Sequence, residues 1–445
     1  MLATKGKYFL KYYPQHMILL SLLTATCIGT FILALPVCRQ TSMSIIDLFF
    51  TATSLTTVTG FLTVPIEQFT CIGHMVMLCL MQLGGLGVMT LSLCFMYMFS
   101  NLGIYTQVIA SETLSLRSFK DTKQTLLFII KFTAISEVLG TLIILPIMLQ
   151  QYTFKKALFY SLFHAVSSFC NAGFSLFPDQ FSEFSDHPVI LYTTMILLII
   201  GGLGFVTWHE LIHKYDSSIG MRSISWHTKL VLRMYLSTSL IFAVLFWILE
   251  RNHTLAHMPF LQKISVVLFS SVAMKSTGFT VIAYTTVQLA TLVLSMITMF
   301  IGSAPLSTGS GIKTSVFAIY LAVIKAAIQG KRNAMLFERH IIDDQVYKAM
   351  AIIALSLSWI VLITFCLLIT ELRWDFLDIL FGTISAFTNN GTTIAPINDV
   401  TTLGKCFMII SMIVGRIGAL AIILSIRRIG DLRDISYPKE HVILG

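Results

Sequence analysis

The chain has 445 residues, of which 56% are hydrophobic and only 11% charged, with a mean hydropathy of +0.83. Soluble domains carry roughly a quarter of charged residues, so this composition excludes a soluble protein of this size and points to one that crosses the bilayer repeatedly. The net charge of +9 forms no basic stripe interleaved with exposed aromatics, which argues against a nucleic-acid partner and for cytoplasmic loops that collect Lys and Arg.

Apolar segments able to span ~30 Å of hydrocarbon fall at residues 17–37, 73–98, 126–149, 188–209, 229–249, 286–328, 350–370 and 403–426. The sixth is too long to be one uninterrupted span. Lys5, Lys7 and Lys11 before the first resemble the start of a signal peptide, but the run is long enough to span and seven more follow. It is therefore read as an uncleaved first helix. Four shorter segments, 41–55, 155–169, 260–274 and 375–387, cannot cross and are expected to enter the membrane and turn back. Polar residues mark their outer starts: Asp47, Lys155, Lys156, Gln262, Lys263, Asp375 and Asp378. Their C-terminal ends then point to the membrane centre, where the helix dipole favours a cation. Linkers at 101–122, 213–228 and 329–346 are polar and basic, which predicts that both termini face the cytoplasm. The eight cysteines show neither metal nor disulfide spacing, and no cofactor is expected in this chain.

Each short segment runs into a polar loop carrying a single glycine: Thr57-Val58-Thr59-Gly60, Cys170-Asn171-Ala172-Gly173, Ser276-Thr277-Gly278, and Asn389-Asn390-Gly391-Thr392. The glycines recur about 110 residues apart, the length of a two-span membrane module. A large apolar residue sits ten positions before each, Phe50, Phe163, Leu268 and Phe381, and Phe61, Phe174 and Phe279 follow three of them. A second glycine marker comes later in each unit, at Gly84-Gly85-Leu86-Gly87, Gly201-Gly202-Leu203-Gly204, Gly302, and Gly415-Arg416-Ile417-Gly418. The expected fold class is an all-α membrane protein: four pseudo-symmetric repeats of helix, re-entrant pore helix and helix around one central ion pore. The repeats are placed at 1–110, 111–220, 221–340 and 341–445.

Irregular backbone at membrane depth is tolerated only where protein or a water-filled cavity surrounds it, and rings of backbone carbonyls replace the water shell of a potassium ion. The four loops are read as such a filter, with K+ held by carbonyls and glycine supplying backbone freedom. Amphipathic hairpins lying in the interface account for neither the equal spacing nor the single glycines.

In the sixth span, residues 302–313 interrupt the apolar pattern. Gly302, Ser303, Pro305, Gly309, Gly311 and Lys313 cannot continue a helix without loss. A phosphate-binding loop does not fit, because Ile312 separates the glycine from Lys313 and no strand precedes. The segment is read as a gate beneath the filter, with a plain kink as the alternative. Arg416 lies mid-span, where an arginine is costly and faces a cavity or a partner; contact with hydroxyls or carbonyls of the gate is expected. His209-Glu210-Leu211-Ile212-His213 matches the HExxH pattern of zinc proteases. It lies at the cytoplasmic end of a span beside Lys214 without a third ligand at membrane depth, so a polar helix end explains it.

Through these loops, the Gln82-Leu83-Gly84-Gly85-Leu86-Gly87 stretch, residues 302–314 and Gly415-Arg416-Ile417-Gly418, nearly the whole chain resembles the TrkH/TrkG/KtrB superfamily of potassium transporters. The KtrB branch looks nearest, because so short a segment precedes the first helix. That resemblance implies a potassium-translocating subunit rather than an enzyme, in the cell membrane. It also implies a homodimer with one pore per chain, on a cytoplasmic ring of nucleotide-binding RCK regulatory subunits. Two residues depart from the pattern: Lys275 replaces an arginine before the third loop, leaving a cation near the pore mouth, and Thr392 replaces the aromatic of the other loops. One glycine per loop implies looser discrimination than in potassium channels, with some sodium or rubidium passage. Broken helices and internal repeats also occur in alternating-access symporters, which leaves that second reading open.

Overall fold

The computed structural model describes residues 14–98, 120–177, 187–213, 224–331 and 333–418. Both termini, most of the first two basic linkers and the end of the last predicted span lie outside these residues. Among the described residues the structure is mostly α-helical, with one two-stranded hairpin and three short 3-10 turns, and its α-helices fall into four groups. The first holds α1 (Pro14–Leu33), α2 (Ile45–Thr56) and α3 (Cys71–Met98). The second holds α4 (Lys120–Met148), α5 (Phe154–Phe169), α6 (Pro188–Gly202) and α7 (Phe205–His213). The third holds α8 (Trp226–Glu250), α9 (Phe260–Ala273), α10 (Leu289–Ile301) and α11 (Thr314–Ile328). The fourth holds α12 (Asp343–Thr370), α13 (Phe376–Phe387) and α14 (Thr402–Ile417).

The short helices α2, α5, α9 and α13 start at the surface and end in the core. Ile45, Phe154, Phe260 and Phe376 are exposed at their first turns, whereas their C-terminal halves are almost wholly buried. Ser44 caps α2 by accepting from the Asp47 amide at 3.2 Å, which satisfies one of the free donors of the first turn.

The groups close into a ring by a repeated contact. The helix that follows each short one packs on the short helix of the next group: α3 on α5, α6 on α9, α10 on α13, and α14 on α2. The apolar core follows these seams instead of filling a centre. One cluster joins the first and second groups around Leu55, Phe163 and Phe169; another joins the first and fourth around Phe50, Phe61 and Met412. The largest lies between the second and third and takes in Phe381 of the fourth. Lys405 and Asp47 pair at 2.7 Å where the fourth group meets the first.

Among the described residues three helices are long and apolar enough to cross a bilayer: Leu126–Met148, Trp226–Glu250 and Asp343–Thr370. The α6 and α7 pair qualifies as a fourth if taken together, but the two are bent by 96°. The continuous span expected over 188–209 is thus broken. Gly204, at φ +86°, makes the turn, and a Cβ there would fall on the Pro305 carbonyl. The linker expected over 329–346 contains the hairpin β1 (Met335–Leu336) and β2 (Arg339–His340). Phe337 and Glu338 both take positive φ at its turn. Two-residue hairpins demand that geometry, and the usual Asn-Gly signal for it is missing from the sequence.

Candidate ion-conducting site

The four loops meet head to head at the middle of the ring. A Cβ built on Gly60 would meet the Ala172 carbonyl oxygen at 2.7 Å; one on Gly173 would fall on Gly278, and one on Gly278 would meet the Asn390 oxygen at 3.2 Å. One on Gly391 would fall on the Thr59 carbonyl, closing the circle. All four glycines line one cavity of about 330 Å³, together with Phe61, Phe174, Glu67 and Asn398.

Three of the loops share one backbone. Val58, Asn171 and Asn389 take left-handed φ of 50°, 57° and 50°, and Gly60, Gly173 and Gly391 follow at 102°, 75° and 89°. In each, the amide of the residue just before the glycine reaches back over the helix terminus: Thr59 to Ser54, Ala172 to Ser167, Asn390 to Ser385. That is a left-handed C-cap, which satisfies carbonyls the helix leaves free. Asparagine tolerates the conformation because its short amide bonds locally, so the asparagines are part of the loop's construction. Asn389 donates to Thr59 Oγ1 and to the Met412 carbonyl, both at 2.9 Å. Asn390 reaches the Met274 carbonyl at 3.2 Å.

The third loop differs. Neither Ser276 nor Gly278 has a positive φ, and the chain leaves α9 by short-range bonds from Lys275, Ser276 and Thr277 back to Val272 and Ala273. The helix caps are Thr57, Cys170, Met274 and Thr388, so this loop holds one more residue between cap and glycine than the others. Counting back from the glycine therefore slips by one. Leu268, expected to match Phe50, Phe163 and Phe381, is 37% exposed, while Val267 before it is 4% exposed. The expectation that each glycine serves φ freedom fails at Gly278.

The second glycine markers acquire a physical reason here. A Cβ on Gly84, Gly201 or Gly415 would fall on the carbonyl of Thr56, Phe169 or Phe387, the last residues of α2, α5 and α13. Only glycine lets the closing helix pass so near the end of the short one. Gly302 instead packs on Ser310 and Gly311 of its own loop.

Residues 302–313 form an irregular, buried loop between α10 and α11, directly under this ring. Its backbone pairs with the break between α6 and α7: the Ala304 and Thr308 amides donate to Gly202 and Gly201 at 3.0 and 3.1 Å, and the Phe205 amide donates to Leu306 at 3.0 Å. Two interrupted helices thus satisfy each other's free backbone groups, which membrane depth requires. Ser303, Ala304, Thr308 and Ser310 are buried. Arg416 donates to the Thr308 carbonyl, to Ser310 Oγ at 3.2 Å and to the Gly84 carbonyl of α3. Lys313, at φ +78°, folds back to donate to the Gly309 carbonyl. Pro305 sits at the turn against Gly204, and Gly311 at φ +87° against Gly302.

One expectation is corrected by position. Lys275 is not at a pore mouth: it is 1% exposed, and its ammonium points behind α9 to the Tyr235 carbonyl at 3.0 Å and Thr238 Oγ1 at 2.6 Å, over the Tyr235 ring. In the HExxH segment, Glu210 accepts from Ser225 Oγ at 2.8 Å and so fastens the start of α8, while the His209 ring meets Phe128 edge-on at 5.0 Å. The His213 side chain lies outside the described residues. Among the described residues no group of three or more metal-binding side chains occurs.

Four polar loops meeting at one cavity inside a ring of apolar helices are the architecture of a membrane transporter, and the comparisons with known proteins give the same class. The sequence profile of the TrkH family, described as a cation transport protein, matches residues 20–431. The chain is 33% identical to Ktr system potassium uptake protein B of Bacillus subtilis over 98% of each chain, and 33% identical to the protein of that name from Vibrio alginolyticus over 97% of this chain and 94% of that one. It is 29% identical to potassium/sodium uptake protein NtpJ of Enterococcus hirae over 97% of each. Its fold matches the crystal structure of the potassium transporter TrkH from Vibrio parahaemolyticus with a TM-score of 0.71 at 17% identity, over 92% of this chain and 84% of that one. The chain belongs to the TrkH family of cation transport proteins. It is a transporter and not an enzyme, so the zinc-protease reading of residues 209–213 falls away.

Proposed function

We propose that this chain is the potassium-translocating membrane subunit of a potassium uptake system. Dehydrated K+ passes the ring of Thr57–Gly60, Cys170–Gly173, Ser276–Gly278 and Asn389–Thr392, and residues 302–313 with Arg416 gate it from below. The carrying observation is that four glycines from four distant loops line one cavity. Carbonyls aimed there replace hydration at low cost, because the protein fixes them before the ion arrives. Full-length similarity to two potassium uptake subunits supports the choice of ion.

The same reading takes the four groups as pore repeats bounded near residues 110, 220 and 340, with eight spans and both termini cytoplasmic. It takes the assembly as a homodimer on a ring of nucleotide-binding RCK subunits, in the cell membrane. The test is cation flux into liposomes holding the purified chain, with K+, Rb+ and Na+ compared. Flux that follows the K+ gradient with K+ above Na+ is expected. Equal flux of the three ions, or none, would remove the filter assignment; uptake against a K+ gradient driven by another ion would favour alternating access.

A further inference from the structure

Resting on that assignment, a second relation joins the two parts of the site. Asn171 and Asn389 hold the same place in their loops, two residues before the glycine and in the left-handed region. Each sends its amide to the helix that follows its loop, to the Leu198 carbonyl at 3.4 Å and the Met412 carbonyl at 2.9 Å. Their remaining bonds diverge. Asn389 reaches a neighbouring filter loop, at Thr59, whereas Asn171 donates at 2.6 Å to Thr308 Oγ1 of the loop beneath. The Thr308 hydroxyl in turn donates at 3.2 Å to the Phe169 carbonyl, one of the carbonyls left free at the end of α5. Thr308 is fully buried and Asn171 is 3% exposed.

The third loop leans the same way. Ser276 Oγ accepts from the Ser310 amide at 3.1 Å. Gly309 lies so close that a Cβ would fall on Ser303 Oγ and meet Ser276 Oγ at 2.5 Å. Loops one and four are therefore tied to each other through Thr59 and Asn389, while loops two and three each bond to residues 308–310.

We infer that Thr308 and Ser276 couple selectivity to the gate: loops two and three hold their K+-selective geometry only while residues 302–313 are seated under them. Thr308 is a positioning residue acting through Asn171, and Ser276 holds the contact on the other side. Unseating the loop to open the path removes a donor and an acceptor from the two loops: Asn171 loses its shortest bond and keeps only the 3.4 Å approaches to the Leu198 and Phe169 carbonyls, and Ser276 loses the Ser310 amide. An unmade buried hydrogen bond costs more than the bond contributes when made, so the two loops relax. The open state conducts faster and discriminates less.

The test is the K+ to Na+ flux ratio of the full chain in liposomes, read with total flux. Thr308→Val keeps the shape and removes the hydroxyl; a ratio lowered about five-fold, the size of one net hydrogen bond, is expected, together with raised total flux. Thr308→Ser keeps the hydroxyl and is expected to restore the ratio. Gly309→Ala, which pushes the loop off Ser276, and Ser276→Ala are expected to lower the ratio independently, so they decide the matter if Thr308→Val fails to fold. Raised flux at an unchanged ratio in these variants overturns the coupling and leaves a plain gate under a self-supporting filter. No change in either quantity overturns it as well. Loss of K+ preference in the unaltered chain would instead overturn the filter assignment itself.

Discussion

The fourth and third loops of the ring occupy equivalent places and are built differently. The fourth leaves its helix through left-handed Asn389 and a capping bond from Asn390 to Ser385, and it presents Gly391 at φ +89°. The third carries one residue more, has no left-handed position, and ends in short-range turns pinned from behind by Lys275. The difference teaches that equal glycine spacing guarantees a common place in the ring but not a common reason for the glycine. At Gly391 both backbone conformation and the Thr59 carbonyl exclude a side chain; at Gly278 only a 3.2 Å approach to the fourth loop does.

The sharpest way to break that comparison is to give each glycine a methyl group. Gly391→Ala must adopt left-handed φ, costing ~1–2 kcal/mol, and must also displace the Thr59 carbonyl. Potassium uptake is expected to fall about ten-fold or more, with loss of K+ over Na+ preference in liposome flux. Gly278→Ala is expected to keep a measurable preference, because its neighbour needs to give only a few tenths of an ångström. Equal damage from the two would mean that both glycines serve the same conformation.

Lys275 carries the next largest effect. Its ammonium satisfies the Tyr235 carbonyl and Thr238 from the end of α9, so Lys275→Met frees the third loop from α8 while leaving the other three untouched. A several-fold loss of uptake is expected, and Lys275→Arg is expected to recover part of it, since a guanidinium delivers its donors in a fixed plane. Wild-type uptake in Lys275→Met would show that the third loop needs no support from α8.

The smallest effect tests the extra residue directly. Val267→Ala opens a gap in a packed position and is expected to lower thermal stability in detergent by about 1–2 kcal/mol. Leu268→Ala, at a site 37% exposed, is expected to change it by less than about 0.5 kcal/mol. The reverse order would restore the register counted back from Gly278.

Much of this architecture was legible in the residues. Four short apolar segments ending in polar, single-glycine loops, with second glycines spaced alike, gave the re-entrant helices to within a few residues at each end. Composition declared the membrane, and the break at 302–313 announced itself through glycines and a proline that no apolar helix keeps without cause. These are local properties, fixed by backbone sterics and by the length of chain a bilayer needs. The inserted residue of the third loop, the 96° bend at Gly204, the direction of Lys275 and the choice of Thr308 as partner for Asn171 were not legible. Each depends on which group lies across a gap from a segment more than thirty residues away, and side-chain type alone does not encode that distance. The residues alone marked four glycines as a set; the tertiary structure decided that they line one cavity, which of them needs its φ, and which loops rest on residues 302–313. A buried polar group must find its partner wherever packing places one.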